Sequence, residues 1–144
     1  MPMEVGIEIH KPMSRLVNFV AQQKNMPLWT CHQSIIATKH GYYEIRSRSR
    51  YSLDTKIKKI DESTACIIYK WVHSTYEYQV CIYITKINLK KSYIYMHMTD
   101  KKFIPVFKSE LRVLKSILEK KDYPEKQRDY LKINRHHIHI YKTF

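Results

Sequence analysis

The sequence contains only two glycines, Gly6 and Gly41, among its 144 residues. Loops that cradle phosphates, as in P-loop and dinucleotide-binding proteins, need several closely spaced glycines because the backbone must approach the ligand. Nucleotide-dependent enzymes of those two classes are therefore excluded. The chain also lacks any run of about 18 consecutive apolar residues, and residues 1–10 have neither a basic start nor an apolar core. We expect neither a membrane span nor a secretory signal.

Cysteine and acidic residues are both scarce. Cys31, Cys66 and Cys81 are odd in number and lie in no CxxC spacing, which favours free thiols and a cytoplasmic or nuclear, not secreted, protein. Cys31 could bind zinc together with His32 and His40, but the spacing supplies no fourth ligand. We therefore predict no metal and no cofactor. The 13 acidic residues also argue against two-metal nuclease chemistry, which needs clustered carboxylates.

Positive charge is abundant. The chain has 26 Lys and Arg residues against 13 acidic ones, a formal net charge of +13, whereas solubility requires a magnitude of only about 2–8 in a small domain. Such a field attracts polyanions, so a nucleic acid is the predicted partner and an acidic protein surface is the alternative. The length and the 44% apolar content indicate one globular domain over residues 1–144.

The hydrophobic pattern changes from helical spacing to a period of two and back again. Pro12 and the apolar residues after it predict an N-terminal helix that ends near Asn25, and Ser109 predicts a helix over residues 109–121. Strands are predicted at residues 42–51, 65–73, 76–87, 92–99 and 103–107, followed by a short helix from Pro124 and a closing strand at 131–141. The predicted fold class is α+β, with a mainly antiparallel sheet of four to six strands.

The run Arg46-Ser47-Arg48-Ser49-Arg50 lies in the first predicted strand. Alternate residues of a strand point the same way and lie about 6.6–6.8 Å apart, close to the phosphate repeat of an extended nucleic-acid strand. Because guanidinium groups bind phosphate through paired hydrogen bonds, the three arginines are predicted to follow one backbone. The alternative is a solvated edge strand that uses charge to prevent aggregation. Five lysines are further candidates for phosphate contacts: Lys56, Lys58 and Lys59 in the charged connector 54–64, and Lys90 and Lys91 in a later turn.

Turn lengths predict how the central strands pair. A two-residue turn at Ser74-Thr75 and a four-residue turn over residues 88–91 give four cross-strand pairs: Trp71 with Tyr78, Tyr69 with Val80, Ile84 with Tyr95, and Ile82 with His97. Alternation then gathers one aromatic face: Tyr69, Trp71, His73, Tyr76, Tyr78, Tyr93, Tyr95 and His97. The opposite face, predicted to be core, carries Ile68, Val72, Cys81, Ile94, Met96 and Met98. Unpaired bases stack on such rings for about 1–3 kcal/mol each, while the alternative is that the rings themselves form core.

The eight histidines allow an enzymatic alternative. Histidine acid–base catalysis, assisted by Lys or Arg, cleaves RNA through its 2′-hydroxyl without a metal. His97 and His137 are the candidate catalytic residues. The alternative is that the histidines only add to a polyanion-binding surface.

The sequence therefore predicts a basic nucleic-acid-binding protein. RNA or single strands are favoured over duplex DNA, because no helix-turn-helix, zinc-finger or basic-zipper pattern is present. A metal-independent ribonuclease or phosphodiesterase is the first alternative. The second is a protein-interaction or inhibitor module of viral or mobile-element origin, which the Lys-, Ile- and Tyr-rich composition favours.

Overall fold

A computed structural model describes residues 3–120. Seven strands are found within this range: β1 Met3–Ile9, β2 Ile35–Thr38, β3 Gly41–Arg46, β4 Ser49–Lys59, β5 Thr64–His73, β6 Tyr76–Lys86 and β7 Ser92–Met98. The α-helices in the same range are α1 Met13–Val20, α2 Met26–Trp29 and α3 Ile104–Glu119, and short 3₁₀ helices occupy Gln23–Asn25 and Lys101–Phe103. The predicted α+β class is thus confirmed. The helix from Pro124 and the strand at 131–141 fall outside the described residues.

All strands join one antiparallel sheet in the order β1-β7-β6-β5-β4-β3-β2. Strands β2 to β7 form a meander of hairpins, and β1 returns to pair with β7 from Met3↔Met98 to Ile9↔Ser92. The predicted count of four to six strands is therefore too low. The missed strand β1 did carry a signal, because Val5, Ile7 and Ile9 alternate with polar or small residues.

The predicted strand 42–51 is two strands joined by a tight turn. Ser47 and Arg48 both have positive φ, 47° and 69°, and Arg46 pairs with Ser49. A two-residue turn with positive φ at both positions matches the twist of antiparallel strands. Most of the expected connector 54–64 then belongs to β4, which ends at Lys59. Polar turn residues inside a strand-like pattern were thus mistaken for strand.

Both predicted helices differ from the observed ones at a proline. The expected strand 103–107 is instead the start of α3, which begins at Ile104 and has Pro105 in its first turn. Proline is favoured there, because the first N–H groups of a helix have no intrahelical partner. In the N-terminal helix, α1 ends at Val20, and α2 takes Pro27 into its own first turn.

The helices pack on one face of the sheet, which we call the covered face. Its buried residues in β5 and β6 alternate along each strand, and the helices contribute residues such as Leu16, Trp29 and Leu111. These sheet residues are Ala65, Ile67, Tyr69 and Trp71 in β5, and Ile82 and Ile84 in β6. The Tyr69 hydroxyl donates a hydrogen bond to the Val20 carbonyl at the end of α1. The opposite face, which we call the open face, carries the intervening residues.

The β5–β6 hairpin has the predicted register, with Trp71↔Tyr78 and Tyr69↔Val80. The β6–β7 hairpin is shifted by one residue, since Tyr83 pairs with Tyr95 and Ile84 with Ile94. Its loop spans residues 87–91 rather than 88–91. Because a one-residue slip moves every side chain of a strand to the other face, the predicted aromatic face is divided. Tyr69 and Trp71 lie on the covered face, whereas Tyr93, Tyr95 and His97 lie on the open face.

Strands β6 and β7 pair only near their hairpin loop. Their ladder runs from Lys86↔Ser92 to Tyr83↔Tyr95, although β6 begins at Tyr76 and β7 continues to Met98. The first half of β6 continues its pairing with β5 on its other side, and the end of β7 continues its pairing with β1. The sheet therefore opens into a gap between these two segments.

Candidate ligand-binding site

A cavity of about 630 Å³ occupies this gap and the space beneath the helices. We call it the inner cavity. Its sheet wall includes two continuous stretches, residues 79–83 of β6 and residues 96–100 at the end of β7, and its other wall comes from α2 and α3. Consecutive residues of a strand point to opposite faces. Since side chains from both faces of these strands line the space, the inner cavity extends between the diverging strands rather than only above them.

Aromatic and aliphatic side chains dominate the wall. The apolar and aromatic lining residues include Trp29, Tyr69, Trp71, Val80, Ile82, Met96, Met98, Val106 and Phe107. At the rim, Tyr78 and Phe103 are 42% and 52% exposed. Large exposed aromatic residues beside an apolar cavity are typical of the mouth of a binding site.

The loop after α2 brings polar groups into the wall. The Thr30 hydroxyl donates to the Met26 carbonyl at 2.7 Å, and the His32 N–H donates to the Thr30 hydroxyl at 3.1 Å. The Cys31 N–H donates to Glu110 Oε2 of α3 at 2.7 Å. These bonds fix Cys31, His32 and Glu110 against one another at the side of the inner cavity.

Glu44, His32 and Arg46 form a cluster behind this wall, which we call the polar cluster. Glu44 is 5% exposed, and its carboxylate lies 2.8 Å from His32 Nδ1 and 2.8 Å from Arg46 Nη2. Burial by itself raises the pKa of Glu44, but the hydrogen bond and charge of His32 and the charge of Arg46 outweigh it, so the pKa is lowered. Glu44 is therefore ionised at neutral pH.

The polar cluster holds Trp71 in place. The His32 ring centroid is 5.0 Å from that of Trp71, the Arg46 guanidinium carbon lies 5.2 Å from the Trp71 ring, and Tyr78 is at 5.4 Å. Cation–π and ring contacts of this kind orient an indole. Trp71 is thus a rigid part of the cavity wall.

Cys31, a thiol in the wall, is poorly suited to nucleophilic chemistry. Burial, and then the charge of Glu110, raise the pKa of the Cys31 thiol to about 12, so the thiol is protonated at neutral pH. Burial also raises the pKa of Glu110, against the opposing effects of the Cys31 N–H and the charge of His32. Among residues 3–120, no group of three or more His, Cys, Asp or Glu residues could hold a metal ion.

The structure separates the predicted arginines. Arg46 belongs to the polar cluster on the covered face, Arg48 lies in the turn, and Arg50 stacks over Tyr43 on the open face with 4.0 Å to the ring centroid. The premise that the three arginines alternate along one strand is therefore wrong, and their contact with a nucleic-acid backbone stays a prediction. The cause of the error is the reversal at Ser47 and Arg48, which sends the flanking arginines into different strands.

Part of the remaining predicted set does meet on the open face. In β4, Lys56 and Lys58 are exposed and pair with Ile68 and Cys66, and Cys66 pairs in turn with Tyr83. Tyr83, Tyr95 and Tyr93 stack in a row with centroids 5.3 Å apart. The other lysines lie elsewhere: Lys59 has the opposite parity, next to Ala65, while Lys90 and Lys91 lie in the β6–β7 loop.

The predicted catalytic pair is represented only by His97. It lies on the rim of the inner cavity, and its ring is 5.8 Å from Tyr83 and 5.6 Å from Tyr95. His137 falls outside the described residues. Tyr69 and Trp71, predicted to stack on bases, are each 1% exposed and form part of the core. That outcome matches the alternative of a core role for these two rings.

Sequence reasoning missed Trp29, Glu44 and Glu110 as members of a site. One signal was available, because Glu110 occurs on the apolar stripe of α3 between Phe107 and Leu114. An acidic residue on a buried stripe indicates a polar group in the interior. Glu44 gave no comparable signal, since an isolated Glu in a strand is ordinary on a solvated face.

Among residues 3–120, none of the helices combines the length and the apolar character that a bilayer crossing requires.

Comparisons with known proteins give a fold but no function. No family model matches the chain, and no curated protein matches it. Among solved structures, it is similar to an uncharacterized protein from Bacillus thuringiensis, with 12% identity and a TM-score of 0.50 over 80% of this chain and 96% of that one. A conserved protein from Geobacillus kaustophilus gives a TM-score of 0.40 at 12% identity, over 96% and 95% of the two chains. At such identity, the Bacillus similarity shows a shared fold alone.

Proposed function

We propose that the protein binds a small, largely apolar molecule in the inner cavity. The observation that carries this proposal is the cavity of about 630 Å³ between the sheet and the helices, which is open to solvent at the rim formed by Tyr78 and Phe103. A space of this size falls in the range of ligand sites, about 300–1,000 Å³, which are lined mainly by apolar side chains and a few polar groups.

The test is binding of a neutral apolar fluorophore, N-phenyl-1-naphthylamine, to the purified full-length chain. Val106 on α3 lines the inner cavity, so Val106→Phe places extra volume in the cavity. We expect this variant to bind the dye at least about tenfold more weakly, by loss of space. Val72→Phe is the matched control, because Val72 has the parity of the open face and pairs with Glu77.

Equal loss of dye binding in both variants, or no binding to the parent protein, would contradict the proposal. Circular dichroism melts confirm that each variant is folded. Extraction of the purified protein with organic solvent, followed by mass spectrometry, gives an independent measurement, because a ligand that copurifies appears in the extract.

A second candidate function is single-stranded nucleic-acid binding on the open face. The observation that favours it is a pair of exposed lysines on the open face: Lys58 lies in the row that leads through Cys66 to Tyr83 and Tyr95, and Lys56 lies two residues away in the next row. Neither lysine has an ion pair with another described residue. The tyrosine rings face one another, at interplanar angles of 17° and 25°, so much of their area is already covered. Phosphate contacts therefore carry this candidate more than base stacking does.

A salt series with single-stranded RNA and DNA tests the second candidate. Each phosphate contact contributes a slope of about −0.7 in log affinity against log salt. Replacing Lys56 and Lys58 with Ala should flatten the slope by about 1.4, twice that value for two contacts. Replacing Lys24 and Lys39, which are exposed outside the open face, should have a smaller effect. Identical slopes for the two double variants would indicate nonspecific charge.

A further inference from the structure

A second groove lies at the end of the sheet where the β4–β5 loop, residues 60–63, meets the β6–β7 loop, residues 87–91. The loops are adjacent, because the Lys86 N–H donates to the Ser63 carbonyl at 2.7 Å. The groove has a volume of about 450 Å³ and shares no lining residue with the inner cavity, and we call it the end groove. Its apolar lining comes from α1, the sheet and the β6–β7 loop: Pro12, Met13, Val17, Ile57, Ala65 and Leu89.

Apolar side chains are exposed at this end of the sheet. Leu89 in the β6–β7 loop is 79% exposed, and Ile57 in β4 is 53% exposed. Ile60 and Ile87, which begin the two loops, are exposed as well. Four of the ten large apolar residues that are exposed among residues 3–120 are therefore gathered here. Single exposed apolar residues are ordinary, but a group of them indicates a surface that contacts another molecule.

The end groove is positively charged. Its lining contains Lys59 and Lys86, and no Asp, Glu or His residue of the described range lines it. Both lysines are exposed, and neither has an ion pair with another described residue. An anionic partner in the end groove would therefore meet two unpaired ammonium groups beside an apolar surface.

The loops next to the end groove carry both signs of charge. Lys90 and Lys91 follow Leu89, and Lys91 lies 3.6 Å from the Glu8 carboxylate. The β4–β5 loop contributes Asp61 and Glu62, and the Asp61 carboxylate accepts the Ser63 N–H at 2.7 Å. These loop charges nearly balance, so the net positive charge at this end comes from the lysines that line the end groove.

Exposed apolar residues beside unpaired lysines fit the surface of a bilayer that contains anionic lipids. Acyl chains can receive an apolar loop residue such as Leu89, while lysine ammonium groups stay among the headgroups. A nucleic acid would meet the same lysines, but the described lining of the end groove offers no aromatic ring on which its bases could stack. It would also leave Leu89 exposed to water.

We infer that the end groove and the β6–β7 loop form a docking surface for a bilayer with anionic phospholipids, into which Leu89 inserts. Lys59 and Lys86 bind the headgroups. The inference goes beyond the proposed function, since the end groove and the inner cavity have no residue in common.

Flotation of the full-length protein with lipid vesicles tests the inference. At about 0.15 M salt, we expect binding to phosphatidylcholine vesicles with about 30% phosphatidylserine to be at least about tenfold tighter than to phosphatidylcholine alone. Leu89→Ser leaves the charge unchanged and should weaken binding to the anionic vesicles by about tenfold. Ile36→Ser is the matched control, because Ile36 is an exposed residue of β2 at the far edge of the sheet. It should change binding by less than about twofold.

The lysines have a matched control of their own. Replacing Lys59 and Lys86 with Gln removes two charges at the end groove, and replacing Lys24 and Lys39 with Gln removes two exposed charges elsewhere. The first double variant should bind the anionic vesicles at least about fivefold more weakly than the second.

Fluorescence then reports insertion directly. The two native tryptophans are buried, so the tryptophan of Leu89→Trp is the one in position to enter the bilayer. Its emission should shift to shorter wavelength when anionic vesicles are added, whereas Ile36→Trp should show no such shift.

Three results would overturn the inference: no binding of the parent protein to anionic vesicles, equal weakening by Leu89→Ser and Ile36→Ser, or unchanged emission of Leu89→Trp. Equal weakening of vesicle and single-stranded RNA binding by Leu89→Ser would also overturn it, since the surface would then be one for nucleic acid. Dye binding without vesicles should be unaltered in Leu89→Ser, and circular dichroism melts confirm that each variant is folded. Failure of this inference is thus distinct from failure of the proposed function.

Discussion

On the covered face, Tyr69 and Trp71 are each 1% exposed and pack beneath the helices, whereas on the open face Tyr83, Tyr93 and Tyr95 are half-buried and stack on one another. The two faces therefore use the same residue types for different purposes. Under the helices the rings wall a cavity, and on the open face they cover the sheet with their own contacts. Strand parity, and not residue type, decides which role a tyrosine takes.

Charge is also divided between the two faces. On the covered face, the Glu44 carboxylate binds both Arg46 and His32, so the positive charge of Arg46 is balanced next to the inner cavity. On the open face, Lys56 and Lys58 are exposed. The two candidate functions therefore use different faces of the sheet and can be tested separately.

The largest expected effect compares one ring from each face. Trp71→Ala should lower the free energy of unfolding by about 3–5 kcal/mol, as large aromatic truncations in a core do. Tyr95→Ala should lower it by about 1–2 kcal/mol, the contribution of its two stacked partners. Urea unfolding followed by circular dichroism measures both. If the two losses were equal, the distinction between the covered and the open face would be wrong.

Trp71 and Tyr95 also show how much of the fold could be predicted from the sequence. Period-two alternation and the Ser74-Thr75 turn were sufficient for the β5–β6 register, because a two-residue turn leaves only one close pairing. The length of the β6–β7 loop could not be predicted, because it depends on the hydrogen bond that the Ile87 N–H donates to the Lys91 carbonyl at 3.0 Å. This bond closes a loop of five residues. Because the loop is one residue longer than predicted, Ile94 rather than Tyr95 shares the covered face with Trp71. The inner cavity follows from where β6 and β7 diverge, which is a property of tertiary packing without a local sequence signal.

The second comparison concerns the two arginines on either side of the turn. Arg46→Ala should destabilise the protein by about 1–3 kcal/mol, because it leaves the buried Glu44 carboxylate with one partner fewer. Arg50→Ala removes only an exposed stack on Tyr43 and should cost about 0.5 kcal/mol. Urea midpoints of the two variants measure the difference. Equal midpoints would indicate that the polar cluster adds nothing to stability.

The pH dependence separates the two carboxyl groups near the inner cavity. The pKa of Glu44 is lowered from 4.5. The stabilisation that its carboxylate gives the folded state is therefore complete above pH 4.5 and is lost as the pH falls through the lowered pKa. The pKa of Glu110 is raised from 4.5, so its effect has the opposite sign: stability is gained as the pH falls through the raised value toward 4.5.

Glu44→Gln and Glu110→Gln should therefore change the stability profile in opposite ways. The first variant should lose stability at pH 7 and flatten the acid limb below about pH 4.5. The second should be at least as stable as the parent protein at pH 7 and lack the gain on acidification, because the amide oxygen can still accept the Cys31 N–H. Urea midpoints between pH 3.5 and 7.5 give both profiles, and shifts in the same direction would refute the assignment.

The smallest expected effect concerns the turn that sends Arg46 and Arg50 to different faces. Arg48 has a φ of 69°, and a residue with a side chain in this left-handed region costs about 1–2 kcal/mol relative to the right-handed form. Arg48→Gly removes that strain but adds freedom to the unfolded chain, about 0.5–1 kcal/mol. We expect a net stabilisation of about 0.5 kcal/mol, measured as a higher urea midpoint, with dye binding in the inner cavity unchanged. Arg50→Gly is the matched control, since the same change within β4 should destabilise the strand. A lower midpoint for Arg48→Gly would mean that the Arg48 side chain, rather than the backbone of the turn, helps to fix which arginine lies on which face.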